Sequence, residues 1–202
     1  MAKKSAPPKV YLAGPDVFLR NAKVIGALKV EICARYGLAG KFPLDTEIDL
    51  SGLTLAEQGY AIARANEALM RACDAAVANL TPFRGVGMDV GTAYEIGFMR
   101  GLGKPLFGYT NSHLPHFDRM MKFEGGKLRA RGGKNPVFLL EDAMKMGVED
   151  HGFAENLMIE GAIHESGADV VAGKTHRADR YTDLVAFETC VKQAAEILLH
   201  KR

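Results

Sequence analysis

Residues 74–97, DAAVANLTPFRGVGMDVGTAYEIG, decide the fold. From Ala75 to Leu80 the chain is a nearly unbroken apolar run, as expected of a strand covered on both faces. A loop with glycines at 85, 87 and 91 follows, and over 92–102 the pattern becomes helical. Strand, loop and helix in that order are a unit of a parallel sheet. The loop delivers Asp89 and then Glu95 to its carboxyl edge, where open α/β folds place their ligand sites.

Working outward, residues 10–13 form a short apolar run stopped by Gly14-Pro15, which reads as a buried strand ending in a turn. Over 18–36 apolar residues recur at helical spacing (Val24, Leu28, Ile32), and Gly37 closes the helix. Residues 40–45 read as a short second strand or extended loop. Thr54-Leu-Ala-Glu57 matches a capping box and opens an alanine-rich helix that reaches about Cys73. A further short strand lies at 103–109, after a Gly-Pro break. Strand and helix thus alternate over 10–109, which predicts an α/β fold: a doubly wound parallel sheet of about five strands in three α/β/α layers.

Residues 110–136 break the alternation. Gly125-Gly126 and Gly132-Gly133 flank a basic stretch, so this segment reads as a mobile loop or a small hairpin excursion, and as a candidate lid. Beyond it the pattern predicts a helix at 154–165, a strand at 169–172 and an amphipathic closing helix at about 183–200. The small, polar, proline-bearing residues 1–8 read as a disordered tail, leaving one domain over 9–202.

Composition narrows the class of function. The 202 residues are 48% hydrophobic and 25% charged, enough for one good core. A formal charge of +2, with the basic residues spread out apart from the first nine residues and 127–134, makes nucleic acid a poor partner. Cys33, Cys73 and Cys190 are far apart and odd in number, against both a disulfide framework and a thiolate metal site; a reducing cytoplasm fits. No apolar run approaches the roughly 20 residues needed to cross a bilayer, so no membrane partner is expected.

Two readings of Glu95 compete. Thr92-Ala-Tyr-Glu95 is itself a capping box, in which Glu95 merely reaches back to the helix start. Alternatively, a carboxylate in the first helical turn is stabilised as an anion by the dipole and free N–H groups, which makes it an oriented nucleophile. Asp89, with no such stabilising element apparent, is the candidate for a raised pKa and hence for the acid. Carboxyls with opposed protonation states are what acid-assisted glycosidic cleavage requires. Asp74, at the start of its strand, belongs by local pattern on the far side of the sheet from Glu95. The glycines at 85, 87 and 91 do not match the dinucleotide fingerprint, Gly103-Lys104 lacks the upstream glycine of a phosphate-binding loop, and no G-x-S-x-G elbow occurs. His113 and His116 alone do not make a metal site.

Four pieces carry a family likeness: Val10-Tyr-Leu-Ala-Gly-Pro15 with Phe18, CDAAVANLTPFRG at 73–85, DVGTAYEIG at 89–97, and Asn156-Leu-Met158. In this order the chain resembles the nucleoside 2-deoxyribosyltransferase family over about residues 9–163. The resemblance implies a flavodoxin-like sheet and a double displacement at the anomeric carbon of a deoxynucleoside, with free nucleobases as the other substrates and no metal or other cofactor. It puts Glu95 at the nucleophile, Asp89 at the acid that protonates the leaving base, and Tyr11 at a hydroxyl that orients the nucleophile. It brings Asp74 back into the site as a residue that helps hold the base, against the reading from spacing. Glu47 aligns with an acid or amide near base or sugar, and Gly14, Phe18, Gly91 and Met158 fall within the substrate-binding motifs. Asn156 corresponds to a residue that reaches a neighbouring subunit's site, which implies a homo-oligomer, dimer or higher. The basic insert at about 123–134 and the extension beyond 170 depart from the family's shorter members.

Related hydrolases of deoxynucleoside 5′-monophosphates present a phosphate-binding serine where this chain has Asp89, and a carboxylate there repels a phosphate dianion. A non-catalytic nucleoside or nucleotide sensor gains nothing from an intact Tyr11, Asp89 and Glu95. Transfer is the expected reaction.

Overall fold

The computed structural model describes residues 6–45, 47–131 and 139–200. Each predicted strand of the central sheet forms: β1 (Lys9–Ala13), β2 (Ala39–Lys41), β3 (Ala75–Asn79) and β4 (Leu106–Thr110). Every residue of β3 and β4 is buried, because helices cover both faces; that is why these strands are written as apolar runs rather than as alternations. The helices are α1 (Ala22–Arg35), α2 (Leu55–Ala72), α3 (Val90–Gly101), α4 (His116–Phe123), α5 (Leu157–His164) and α6 (Val185–His200). α1 packs with α6 on one face, and α3 packs with α2 and α5 on the other.

The region after β4 is more built than its sequence suggests. α4 is followed by a small antiparallel sheet of β5 (Arg129–Ala130), β6 (Leu140–Glu141) and β7 (Gly147–Val148), so the hairpin reading holds in outline; Gly132-Gly133 lie outside the described residues. β8 (Val171–Ala172) then returns to pair in parallel with β4. The five-stranded sheet has the order β2-β1-β3-β4-β8, all parallel. The chain beyond residue 170 thus supplies an edge strand and a closing helix to the common core. The order reverses direction between β1 and β3, and the crevice outside their carboxyl ends is the switch point where such sheets bind ligands.

Several boundaries differ from the pattern, each for a physical reason. Residues 1–5 of the expected tail lie outside the described residues, but Pro8 is buried and its carbonyl accepts the Ala39 N–H at 2.8 Å, which extends the β1–β2 edge. The first helix starts at Ala22 rather than near Phe18, because Pro15–Phe18 is a 3₁₀ turn. Its inward face is also rotated: Val24 and Leu28 are exposed, while Ile25, Lys29 and Ile32 are buried. The rotation buries Lys29 against Asp16 at 2.7 Å. Gly37 closes the helix with a φ of 77°, as its position predicts. The capping box at the head of α2 is complete, with Thr54 N–H to Glu57 at 2.8 Å and Glu57 N–H to Thr54 Oγ1 at 3.4 Å.

Candidate active site

The site is assembled where β1, β3 and α3 meet. After β1 the chain turns sharply at Gly14, where a Cβ atom would lie 2.7 Å from the Asn79 Cβ and 2.5 Å from an Asp16 carboxyl oxygen. Glycine is required there by close approach. The turn lets Asp16 dive into the protein, where Asn79 Nδ2, at the end of β3, donates to both its oxygens at 3.2 Å. Lys29 completes the arrangement, donating to Tyr109 at 2.8 Å as well as pairing with Asp16. Asp16 and Lys29 are 1% and 2% exposed, so this is a fully buried ion pair. It costs desolvation but fixes the 14–18 strap to two strands and a helix.

The β3–α3 loop is clamped from its other side. Glu155, buried, accepts the Met88 N–H at 3.1 Å and pairs with Arg119 at 2.9 Å. Arg119 in turn donates to the carbonyls of Val86 and Leu114, both at 2.7 Å. With both loops held, α3 starts at Val90 and Asp89 is its N-cap: its Oδ2 accepts the Thr92 N–H at 2.9 Å and the Thr92 hydroxyl at 3.0 Å. Gly91 leaves room for this carboxylate, since a Cβ there would stand 3.0 Å from the same oxygen.

This geometry corrects both expectations for the pair. Thr92 is not the cap, so no capping box engages Glu95, which lies in the second turn of α3, beyond the reach of the free N–H groups. Glu95 instead accepts a 2.5 Å hydrogen bond from the hydroxyl of Tyr11 on β1. Burial pushes its carboxyl up to about 7; the Tyr11 hydrogen bond pulls it back and the charge of Asp89 pushes it further up. Burial, then the charge of Glu95, holds the Tyr11 hydroxyl well above its usual range, so it remains a donor. The electrostatic reading of Glu95 is therefore reversed: it lies beyond the helix start and its surroundings hold its proton, while Asp89 is the carboxyl that engages the first turn.

Gly14, Phe18, Asp89, Gly91 and Glu95 share the wall of one cavity of about 490 Å³, the size of a small-molecule site. Tyr11 is completely buried and supports Glu95 from behind. The opposite wall was not legible beforehand: Pro43, Leu44, Ile48 and Leu50 from the stretch after β2, and Ile62 and Asn66 from α2. Asn66 is the one amide among them. Its only sequence signal is a polar residue one turn after Ile62, on a helix whose pattern gave no reason to prefer it. Phe18 presents a ring that is 58% exposed and stacks on Phe83 at 5.4 Å.

Four sequence candidates lie elsewhere. Asp74 sits at the amino end of β3, where its carboxylate accepts the Lys9 N–H at 2.7 Å. The length of β3 separates it from Glu95, roughly 16 Å for five residues of strand. The spacing argument was right about its place, and the base-holding role carried over from the family does not fit it. Glu47 is exposed and off the cavity wall. Asn156 caps α5, accepting the Met158 N–H at 3.0 Å and donating to Glu149 at 3.0 Å. Met158 is 72% exposed on a separate groove between α3 and α5. Among the described residues, no cluster of histidine, cysteine or carboxylate side chains is arranged to hold a metal ion.

A family model described as nucleoside 2-deoxyribosyltransferase matches residues 10–158, which include every element of this cavity. The chain belongs to the nucleoside 2-deoxyribosyltransferase family. A 2-deoxyribosyltransferase from Leishmania mexicana superposes with a TM-score of 0.57 at 26% identity, covering 92% of this chain and 98% of that one. A conserved protein from Enterococcus faecalis V583 shares the fold, with a TM-score of 0.52 at 24% identity over 94% of this chain and 99% of its own. An uncharacterised protein of Schizosaccharomyces pombe is 35% identical over 195 residues, 93% of this chain and 89% of its own length. Family and neighbours together indicate a deoxyribosyltransferase-type enzyme acting on nucleosides and nucleobases. Among the described residues, no helix is long and apolar enough to cross a membrane.

Proposed function

We propose that the cavity transfers the 2-deoxyribosyl group of a deoxynucleoside from one nucleobase to another, through a glycosyl ester on Glu95. The observation that carries this reading is the 2.5 Å Tyr11–Glu95 hydrogen bond on the wall that also holds Asp89. Tyr11 fixes one oxygen of Glu95 and leaves the other to attack C1′ as the bond from C1′ to the base nitrogen breaks. Without a 2′-hydroxyl the sugar supports an oxocarbenium-like transition state, and the carboxylate traps it with inversion. Asp89 supplies the proton to the departing base from Oδ1, since Oδ2 is taken up by Thr92. An acceptor base then attacks C1′ from the vacated side, the ester bond breaks, Glu95 leaves as carboxylate and Asp89 recovers the acceptor's proton. The second inversion restores the β configuration.

In the free cleft, burial keeps the proton on Glu95 below about pH 7. The reaction requires it on Asp89, so nucleoside binding must exchange the two protonation states. Phe18 offers a stacking face for the base, and Asn66 is the polar group available to its edge.

The same reading makes the protein a homo-oligomer in which Asn156 and Met158 complete a neighbour's cleft. In support, the groove of about 640 Å³ between α3 and α5 is lined by Ile96, Leu157 and Met158, and Val90 and Tyr94 are exposed on α3. Incubation with deoxyinosine and adenine is expected to yield deoxyadenosine. Release of free deoxyribose at one rate with or without adenine would establish hydrolysis instead, and no cleavage of any nucleoside would leave a sensor.

A further inference from the structure

A second and larger cavity, about 810 Å³, opens beyond the carboxyl ends of β3 and β4 and shares no lining residue with the Glu95 cleft. Its wall is cationic. Lys122 comes from α4, His113 from the loop before it, and His176, Arg177 and Arg180 from the segment between β8 and α6. No carboxylate lines the cavity, and among the described residues none of Lys122, Arg177 and Arg180 forms an ion pair. This differs from Arg119 on the same wall, whose guanidinium is consumed by Glu155 and two carbonyls. Converging cations without counter-charges repel one another, and an anionic occupant relieves that repulsion. His176 accepts the Ala178 N–H at its Nδ1, which leaves Nε2 as a donor.

A second observation shows that the cationic wall is held in place. Asn111, 4% exposed and on this wall, uses its amide nitrogen to hold the carbonyls of Arg180 and Asp183 at 2.8 and 2.9 Å, which fixes the strap that carries Arg180. Its Oδ1 lies beside Gly173 with almost no accessible surface, so the amide is a fixed part of the wall.

We propose that this cavity, too large for a bare phosphate ion, is a binding site for a small organic phosphate of the size of a nucleoside monophosphate, beside the Glu95 cleft rather than within it. Lys122, Arg177 and Arg180 take the phosphate. The 81–88 loop is the partition between the two cavities: Tyr181 donates to the Pro82 carbonyl at 2.5 Å and packs edge-on against Phe83, which also stacks on Phe18 in the cleft.

Calorimetric titration of the full chain at fixed ionic strength tests this, with adenosine monophosphate and inorganic pyrophosphate as probes. One saturable site for adenosine monophosphate is expected, undiminished by excess deoxyinosine and unchanged in Glu95→Gln. Lys122→Gln/Arg177→Gln should weaken it at least tenfold, as expected for the loss of two charge-assisted contacts. Both side chains are exposed, so the folded protein is retained. Tighter binding of the nucleotide than of pyrophosphate supports the organic phosphate, and the reverse order overturns that part of the assignment. No saturable binding of either probe, equal affinity in the double variant, or displacement by deoxyinosine overturns the site. So does tight binding of a single-stranded oligonucleotide by a protein that ignores both small probes, which would mark a nucleic-acid surface.

Discussion

At the amino edge of the sheet Asp74 accepts the Lys9 N–H, and Lys104 donates to the carbonyls of Met70, Arg71 and Cys73. At the carboxyl edge Glu95 has a single donor among the described residues, Tyr11, in surroundings that raise its pKa to about 7. Both edges carry charge close to strand ends, but they use it differently. Amino-edge charges complete the hydrogen bonding of backbone groups that the strands and α2 leave open, in contact with water and at little cost. The Glu95 carboxyl is held partly out of water with one oxygen uncommitted, an arrangement that structure alone gives no reason to keep. The difference teaches that an acidic residue is marked as chemical by what it is denied rather than by its position at a loop.

The largest expected effect is on activity at the carboxyl edge: Glu95→Ala should lower kcat/KM for deoxyribosyl transfer about 10⁴-fold or more, as for loss of a covalent nucleophile. Residual transfer within tenfold of wild type would remove the distinction between the edges. Next, Lys29→Met leaves Asp16 buried without its partner and should cost about 3–5 kcal/mol in denaturant unfolding; a loss below 1 kcal/mol would show that the strap does not depend on that pair.

Glu95 also gives a stability prediction of definite sign. Its pKa rises from 4.5 to about 7 on folding, so the folded state is penalised where Glu95 is ionised, above about pH 7, and the penalty fades as pH falls towards 4.5. Glu95→Gln should therefore be more stable than wild type by about 1–3 kcal/mol at about pH 8 and gain nothing at about pH 4. Destabilisation at the higher pH would mean that the carboxylate is satisfied in the fold. For activity, the reacting state carries one proton over Glu95 and Asp89, so kcat/KM should fall as pH rises through about 7 and the free cleft loses that proton. Tyr11→Phe removes the interaction that lowers this pKa, so that fall should move to higher pH and the maximum drop about 10–100-fold; an unmoved limb would detach Tyr11 from the nucleophile. Smallest of all, Asp74→Ala should cost about 1 kcal/mol or less of stability and leave kcat/KM within about twofold. A large kinetic loss in a folded Asp74→Ala would restore Asp74 to the site and break the comparison.

Much of the architecture was legible because it rests on local signals. The apolar run of β3, the Gly14-Pro15 stop, the Thr54–Glu57 box and Gly37 each act within a few residues of themselves. The inward face of α1 was not, because it turns on Lys29 reaching Asp16, a long-range ion pair that no periodicity encodes; a lysine between Ile25 and Ile32 was its only trace. In the site, the strand–loop–helix junction was enough to bring Asp89 and Glu95 to one cavity, and the family likeness added Gly14 and Phe18. The reading of Glu95 as an anion held by the helix start failed because the N-cap is Asp89 rather than Thr92, a difference of one turn that moves Glu95 beyond the free N–H groups. Asn66 and the 43–50 wall depend on how α2 lies over the cleft, which is a matter of packing.

The central claim is that Glu95 carries the sugar, and intact mass spectrometry of the protein mixed with deoxyinosine alone, quenched in acid, tests it most directly. A gain of one deoxyribosyl group, mapped to the peptide that contains Glu95, discharged by added adenine and absent from Glu95→Ala, is the predicted result. An adduct that survives in Glu95→Ala, or that maps to another residue, would contradict it.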